Sequence, residues 1–232
     1  METKKKFRFY SEAAYPVALV LIAFGVAFME RADFGVSMIV APAYVIFRKV
    51  SLVLPWFTFG TAEYLLQATL LLLMWAILRK FRLADCLSFV TAFVYGMILD
   101  ACMALMRAAA PDPLYIKVIL YIAGMVVGSL GVALMFRTYM APEVYELFVK
   151  KISRKAGVEI HRFKTGYDLV SLSVGVVLSF ALFGFGRFIG VRWGTIVCAL
   201  VNGAIISVCS KALDRVFAFE DRFAFRPFFE DV

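Results

Sequence analysis

Two Ala-Pro stretches organise this chain, FGVSMIVAPAYVIF at residues 34–47 and APEVYELFVKKI at residues 141–152. Each follows one long hydrophobic segment and precedes two more. Proline is favoured in the first turn of a helix, where its missing N–H is not needed, and both stretches are too short to cross a bilayer. We therefore predict two copies of a three-span unit, each with a short, proline-initiated helix after its first span.

The two short helices are expected to differ in depth. Residues 34–47 are almost wholly apolar, which indicates a re-entrant or interfacial half-helix. Residues 141–152 place their apolar side chains on one helical face and their charged side chains elsewhere, with acids near the start and bases near the end. That pattern is typical of a helix on the membrane surface, so we expect the first helix to be buried more deeply than the second.

Six segments of about 20 apolar residues are expected to cross a membrane as α-helices. The chain has 232 residues, 63% of them hydrophobic, and its mean hydropathy of +0.86 is far above that of a soluble domain. The predicted fold class is therefore an all-α polytopic membrane protein. The predicted spans are residues 14–33, 60–78, 86–106, 114–136, 168–186 and 193–213.

The two membrane halves, residues 14–107 and 108–213, are predicted to be inverted repeats. Three spans per copy is an odd number, so the second copy would lie upside down relative to the first, as in many secondary transporters. The third and sixth spans also align without gaps at an offset of 107 residues. That alignment pairs Ala92 with Ala199, Gly96 with Gly203, and Cys102 with Cys209.

Positive charge predicts the orientation of the spans. Eighteen lysine and arginine residues fall on the side that holds both termini, and seven fall on the other side. The positive-inside rule then places residues 1–13 and 214–232 in the cytoplasm, with the protein in a bacterial inner membrane. A basic cytoplasmic face suits anionic lipids, so the net charge of +8 indicates topology rather than nucleic-acid binding. The phenylalanine-rich tail, residues 214–232, is expected to form a short interfacial helix.

Several short motifs resemble those of the YczE/YitT-like bacterial integral membrane proteins. The motifs are Phe34-Gly35-Val36-Ser37, Thr58-Phe59-Gly60-Thr61, Gly96 through Asp100, Val191-Arg192-Trp193-Gly194-Thr195, and Asn202-Gly203. The similarity covers roughly residues 15–213, and the chain departs from the glycine-rich pattern at Thr138 to Pro142. The resemblance implies a six-helix membrane protein of transporter or permease type. It supplies no catalytic residue, cofactor or substrate.

Polar side chains inside the spans are candidate binding groups, because ionisable residues in a bilayer are costly. Glu63 and Gln67 lie one turn apart in the second span and face the same way. Asp168 has the equivalent place in the fifth span. A structural role stays open for both acids, because a helix N-terminus favours a nearby carboxylate.

Four further residues complete the candidate substrate site. Asp100 lies deep in the third span and needs a partner or a proton. Its possible partners are Arg31, Arg48 and Arg107. Asn202, near the middle of the sixth span, must have its amide satisfied within the protein, by another helix or by substrate. Ser37 and Arg31 border the break before the first half-helix, where free N–H groups favour anionic ligand groups.

These features favour a small transporter or facilitator that binds an unidentified solute between the repeats, with proton coupling through Asp100 or Glu63. Two alternatives stay open, the substrate-binding subunit of an energy-coupling-factor-type importer and a non-transporting accessory or scaffold protein. A homodimer is compatible with all three. An enzyme, a metal site and a cofactor are not expected, because the chain shows no nucleophile–base set, phosphate loop or metal-ligand spacing.

Overall fold

The computed structural model describes residues 7–80, 82, 85–107 and 113–223, except for the side chain of His161. In these residues the chain forms eight helices and one pair of short strands. The helices are α1 (Ser11–Ala32), α2 (Ala41–Val50), α3 (Phe59–Leu78), α4 (Asp85–Arg107), α5 (Leu114–Met135), α6 (Val144–Ala156), α7 (Ile160–Phe183) and α8 (Trp193–Val216). The strands are β1 (Phe7–Tyr10) and β2 (Phe217–Glu220).

Six of these helices, α1, α3, α4, α5, α7 and α8, are long and apolar enough to cross a membrane. The predicted multi-pass helical membrane protein is therefore confirmed. Five spans begin and end within three residues of the predicted bounds, but α7 begins at Ile160 rather than at residue 168. The first two turns of α7 contain several polar residues, so their hydropathy is too low to be recognised as part of a span. The backbone hydrogen bonds that form the helix do not depend on hydropathy, so the helix begins earlier than the apolar segment.

The most extensive helix contact joins α1 to α5, the first helix of each half. Small residues allow this approach, because a Cβ on Gly25 would lie 2.6 Å from the Cα of Gly128. Gly124, one turn before Gly128, faces the same part of α1. The glycine step in α5 therefore brings two backbones together, as small residues do in membrane helix pairs.

The other helices are arranged in matching pairs around this contact. α1 packs against α4 and α5 packs against α8, while α2 packs against α7 and α6 packs against α3. The short helices thus cross between halves. One pair breaks the pattern, because α3 packs closely against α4 whereas α7 and α8 barely touch.

The two short helices begin differently relative to their prolines. Pro42 lies in the first turn of α2, as predicted, but Pro142 precedes α6, whose N-cap is Glu143. Both helices have a buried face, and Val144 and Leu147 of α6 are fully buried. The expected difference in depth stays a prediction; α6 packs its apolar face against α3, α4 and α7, and it exposes Lys150, Arg154 and Lys155.

The tail also differs from expectation. Residues 217–220 form β2, which pairs in parallel with β1 so that Phe7 lies opposite Phe217. The predicted helix is wrong here because Phe217 and Phe219 alternate along a strand and place their rings against Phe9, with centroids 5.4 and 5.9 Å away. The basic residues Lys4 to Lys6 and the end of the tail, 224–232, lie outside the described residues.

The strand pair brings the start of α1 beside the end of α8. We call this side of the molecule the terminal side and the opposite side the distal side. Because the six spans alternate in direction, α7 begins on the terminal side, and α3 and α8 begin on the distal side. These two names are used for location only.

Candidate functional site

A cleft of about 630 Å³ opens between α7 and α8, where the two helices separate. It is lined by residues of both halves, which include Ser37, Met135, Glu146, Lys164, Asp168 and Asn202. Lys164 is near the terminal end of α7, whereas Ser37 follows the distal end of α1. The α7–α8 cleft therefore extends through much of the thickness of the bundle.

Broken helical backbone forms part of the cleft wall. The chain leaves α1 at Asp33, which is in the left-handed conformation, and does not become helical again until Ala41. The loop before α8 fixes this link, because the N–H of Val36 donates to the carbonyl of Gly190 at 2.9 Å. Ser37 and the two residues after it line the cleft. Irregular backbone at membrane depth is tolerated where it lines a cavity of this kind.

Asp168 is the carboxylate of α7 in the cleft. Its side chain is half-buried, and its Oδ1 is shielded from solvent and meets no hydrogen-bond donor in the described part of the chain. Lys164 lies one turn closer to the terminal side and lines the same cleft. Across the described residues, no ion pair within 4.0 Å joins these two side chains.

Asn202 faces Asp168 from the α8 wall of the cleft. Its Oδ1 accepts a 2.7 Å hydrogen bond from the Ser129 hydroxyl of α5. This bond ties α8 to α5 and fixes the orientation of the amide. Among the described residues the amide nitrogen of Asn202 has no protein partner, so its two N–H groups are available to a molecule in the cleft.

Glu63 and Gln67 share one face of α3, as their spacing predicts, and that face is covered by α6. Both side chains are fully buried. The hydroxyl of Tyr145 donates to Glu63 Oε2 at 2.9 Å. These two residues of α3 therefore lie beneath α6 and not on the α7–α8 cleft.

Gln67 caps the start of α6. Its Oε1 accepts from the backbone N–H of Val144 at 3.0 Å, and its Nε2 donates to Glu143 Oε2 at 3.0 Å. Burial, followed by the nearby Glu146 and Glu63, raises the pKa of the Glu143 carboxyl well above its usual range. The contact between α3 and α6 thus contains a buried carboxyl whose environment favours its neutral form.

Asp100 joins α4 to the distal end of α3. Its Oδ2 accepts from the Thr58 hydroxyl at 2.6 Å, and its Oδ1 accepts from the backbone N–H of Gly60 at 2.8 Å. In the described part of the chain, no guanidinium lies within 4.0 Å of this carboxylate. Arg48 and Arg107 line the same distal cavity of about 550 Å³ without reaching it. The partners of Asp100 are therefore a helix start and its N-cap.

Arg31 belongs to a second distal cavity, of about 250 Å³, which is lined mainly by charged residues. Its Nη1 donates to the backbone carbonyl of Met106, at the end of α4. In the same cavity, Arg192 forms a 2.7 Å ion pair with Asp33. These contacts fasten the distal ends of α1, α4 and α8, so the charges there have structural partners.

The structure therefore divides the predicted site residues into three groups. Ser37, Asp168 and Asn202 meet in the α7–α8 cleft, Glu63 and Gln67 lie beneath α6, and Asp100 and Arg31 lie on the distal side. Sequence reasoning did not identify Glu146 and Lys164 in the cleft, or Glu143 and Tyr145 beneath α6. The available signal was the second Ala-Pro stretch, which holds three of these four residues.

Comparison with known proteins identifies a family. The chain matches a family of unknown function (DUF6198) over residues 9–211, which include the cleft and the buried contact between α3 and α6. No curated protein and no solved structure is significantly similar to it. The match covers most of the chain, so the protein belongs to the DUF6198 family.

Proposed function

We propose that this protein is a small membrane transporter or facilitator that binds its solute in the α7–α8 cleft. The observation that carries the proposal is the cleft itself, about 630 Å³ in volume and lined by polar groups from both halves. An interrupted helix at Ser37 forms part of its wall. Secondary transporters build their sites in this way, between repeats and beside broken helices.

The unequal packing of the two halves supports alternating access. α3 and α4 touch through two glycines on the distal side, where a Cβ on Gly96 would lie 2.9 Å from the carbonyl oxygen of Gly60. In the second half Gly203 aligns with Gly96, and Gly166 lies in the second turn of α7, whereas Gly60 lies in the first turn of α3. A Cβ at Gly166 or Gly203 would meet nothing within 4 Å. One helix pair is closed and its counterpart is open.

Two inverted repeats in different conformations account for this inequality. In the opposite state α7 and α8 would close through Gly166 and Gly203, while α3 and α4 would separate around Gly60 and Gly96. The cleft reaches the terminal side at Lys150, Ile160 and Lys164, so its opening would move from the terminal side to the distal side. If both termini are cytoplasmic in a bacterial inner membrane, as the charge distribution predicts, the cleft opens toward the cytoplasm in the conformation described above.

Asp100 is the group best placed to couple this exchange to a proton. Its carboxylate accepts hydrogen bonds from Thr58 and from the Gly60 backbone only while α3 and α4 are together. Separation would remove both donors, and a carboxylate within the membrane would then need another partner or a proton. Glu63, beneath α6, is the second candidate for the same role.

The resemblance to YczE/YitT-like proteins supports the same architecture. Gly60, Gly96 and Gly203 belong to the motifs that carry the resemblance, and in the proposal they are the contact points of the moving helices. An importer subunit or a scaffold would not require the two helix pairs to exchange conformations. Neither alternative therefore explains why one pair is closed and the other is open.

The test uses ligand-induced stabilisation of the detergent-purified protein. A ligand that binds only the folded state stabilises it by about 2.7 kcal/mol when its concentration is 100 times its dissociation constant. Vitamins, amino acids, organic acids, amines and lipids would be compared for the wild type, Gly203→Leu and Gly166→Leu. Both glycines have open space, but Gly203 lines the cleft and Gly166 does not.

We expect one chemical class to raise the melting temperature of the wild type and of Gly166→Leu, but not of Gly203→Leu. Stabilisation that persists in Gly203→Leu would place the ligand elsewhere and contradict the proposal. A flat panel combined with co-purification of an ATPase module would favour the importer subunit. A flat panel with lipids alone stabilising would favour a scaffold.

A further inference from the structure

We infer that the ligand of the α7–α8 cleft is an organic cation with an apolar body, whose charge pairs with the carboxylate of Asp168. The inference rests on the proposed function and names its substrate class. It is carried by one buried carboxylate oxygen that accepts no hydrogen bond among the described residues, by the position of the nearby charges, and by the apolar walls around them.

Within the described residues, the carboxylate of Asp168 has neither a hydrogen-bond donor on Oδ1 nor an ion pair within 4.0 Å, and Lys164 is the cation that interacts with its charge. Asp168 lies two turns into α7, about 12 Å along the helix from Ile160. Its Oδ1 is buried and accepts no hydrogen bond in the described part of the chain. Removing a carboxylate oxygen from water without a donor is unfavourable, and a bound cation would supply the missing interaction.

The lysines of the cleft belong to its terminal end. Lys164 and Asp168 are one turn apart on α7, and Lys150 and Glu146 are one turn apart on α6. Lys150 is exposed, and Lys164 is closer to the terminal side than Asp168. Long lysine side chains extend their ammonium groups toward water, whereas the short side chain of Asp168 cannot leave the cleft. Among the charged residues of α7 that line the cleft, Asp168 is therefore the one nearer its deeper part.

The remaining walls suit an apolar body. They include Ile39, Val132, Met135, Phe136 and Ile206. The ring of Phe136 is 59% exposed and can face a cation, an arrangement that attracts organic ammonium groups. A hard inorganic cation would instead need six or more oxygen ligands. No group of three or more acidic, histidine or cysteine side chains is close enough to hold a metal in the part of the chain that is described.

The experiment compares two ions of the same shape and opposite charge, tetraphenylphosphonium and tetraphenylborate. Thermal unfolding would be followed at increasing concentrations of each ion for the wild type, Asp168→Asn and Glu159→Gln. Glu159 is the exposed acid just before α7, outside the cleft, so its variant removes the same charge without touching the site. All variants share the same detergent, so differences between them report binding to the protein.

We expect tetraphenylphosphonium to stabilise the wild type and Glu159→Gln, and to bind Asp168→Asn at least tenfold more weakly. Tetraphenylborate should stabilise none of them. Equal stabilisation by both ions, or unchanged binding of the cation to Asp168→Asn, would overturn the inference. If Asp168→Asn does not fold, Asp168→Glu keeps the charge and should keep at least a third of the affinity, whereas Asp168→Ser should not bind.

Gly203→Leu separates failure of this inference from failure of the proposed function. Suppose that a neutral or anionic compound stabilises the wild type but not Gly203→Leu, and that tetraphenylphosphonium stabilises neither protein. That result would support a solute site in the cleft and contradict the inference that its ligand is a cation. If no compound distinguishes Gly203→Leu from the wild type, both the inference and the proposed function are contradicted.

Discussion

The carboxylate of Asp100 accepts a 2.8 Å hydrogen bond from the backbone N–H of Gly60, which fastens α4 to the first turn of α3. A second bond from the Thr58 hydroxyl, 2.6 Å long, reaches the other carboxylate oxygen. Free N–H groups at a helix start are satisfied in this way by acidic caps. The deep carboxylate of the third span is thus a link between two helices that the proposed cycle would separate.

Removing this link should lower stability. We expect Asp100→Ala to cost about 2 kcal/mol, because it removes a charged helix cap and leaves the Gly60 N–H without an acceptor. Asp100→Asn retains one acceptor and should cost less. Denaturant unfolding in detergent measures both losses, and an Asp100→Ala protein as stable as the wild type would contradict the structural role.

The aligned glycines Gly96 and Gly203 should respond differently to the same substitution. Gly96→Val places a side chain against the Gly60 carbonyl, since a Cβ there would lie only 2.9 Å from that oxygen. Overpacking of this kind costs about 1–3 kcal/mol. Gly203→Val enters open space and should change stability by less than about 0.5 kcal/mol. Equal losses in thermal unfolding of the two variants would mean that α7 and α8 pack as closely as α3 and α4.

Glu143 should make stability depend on pH. The pKa of its carboxyl is raised in the folded protein, by burial and then by Glu146 and Glu63, while in the unfolded chain it returns to about 4.5. Between these two pKa values the folded state holds a proton that the unfolded state has lost. The stabilisation from Glu143 is therefore complete at a pH below the pKa of its carboxyl in the unfolded chain. It declines as the pH rises toward the pKa in the folded protein, by up to about 1.4 kcal/mol per pH unit.

The matched comparison is between Glu143→Gln and Glu159→Gln. Melting temperatures would be measured from about pH 5 to pH 8. We expect the decline with rising pH to be smaller in Glu143→Gln, which cannot ionise, and unchanged in Glu159→Gln, where the acid is exposed. The same slope in wild type and Glu143→Gln would show that Glu143 is ionised in the folded protein.

The buried pair of Glu63 and Tyr145 should be energetically coupled. Tyr145→Phe removes the hydroxyl that donates to Glu63 at 2.9 Å, and a buried carboxyl that loses its donor costs about 1–3 kcal/mol. Tyr145→Phe should lower the free energy of unfolding by less in a protein that already carries Glu63→Leu. A double-mutant cycle of unfolding free energies measures this coupling, and a coupling energy near zero would mean that the two side chains are independent.

Local sequence signals predicted the parts of the fold that depend on local composition. The six spans follow from apolar length, and the glycine step at Gly124 and Gly128 is typical of a close helix contact, whose partner, α1, is seen only in the structure. The packing partners of α6 did not follow, because an amphipathic helix can place its charged residues against either water or buried polar partners. Glu143 faces Gln67 of α3, a contact between residues far apart in the chain.

The candidate site was predictable only in part for a related reason. Polar residues within spans are few, so Ser37, Asp168 and Asn202 could be selected by type. Their meeting in one cleft depends on the separation of α7 from α8, which no residue pattern in either helix indicates. The partner of Asp100 was not predictable either. Its position in the third span suggested an arginine, but in the structure it accepts a hydrogen bond from the backbone N–H of Gly60 at the start of α3.

The most direct test of the central proposal is a pair of spin-label distances in liposomes. One pair would link Gly166 to Lys211 across the terminal side of α7 and α8, and the other would link Trp56 to Leu105 across the distal side of α3 and α4. All four sites are exposed. The labels would be attached to introduced cysteines after the native ones, Cys86, Cys102, Cys198 and Cys209, had been replaced.

Alternating access requires that one pair shortens as the other lengthens. We expect two populations for each pair, with Asp100→Asn increasing the long distal distance and the short terminal distance together. A single, unchanged distance for both pairs, in the wild type and in Asp100→Asn alike, would contradict alternating access by this protein.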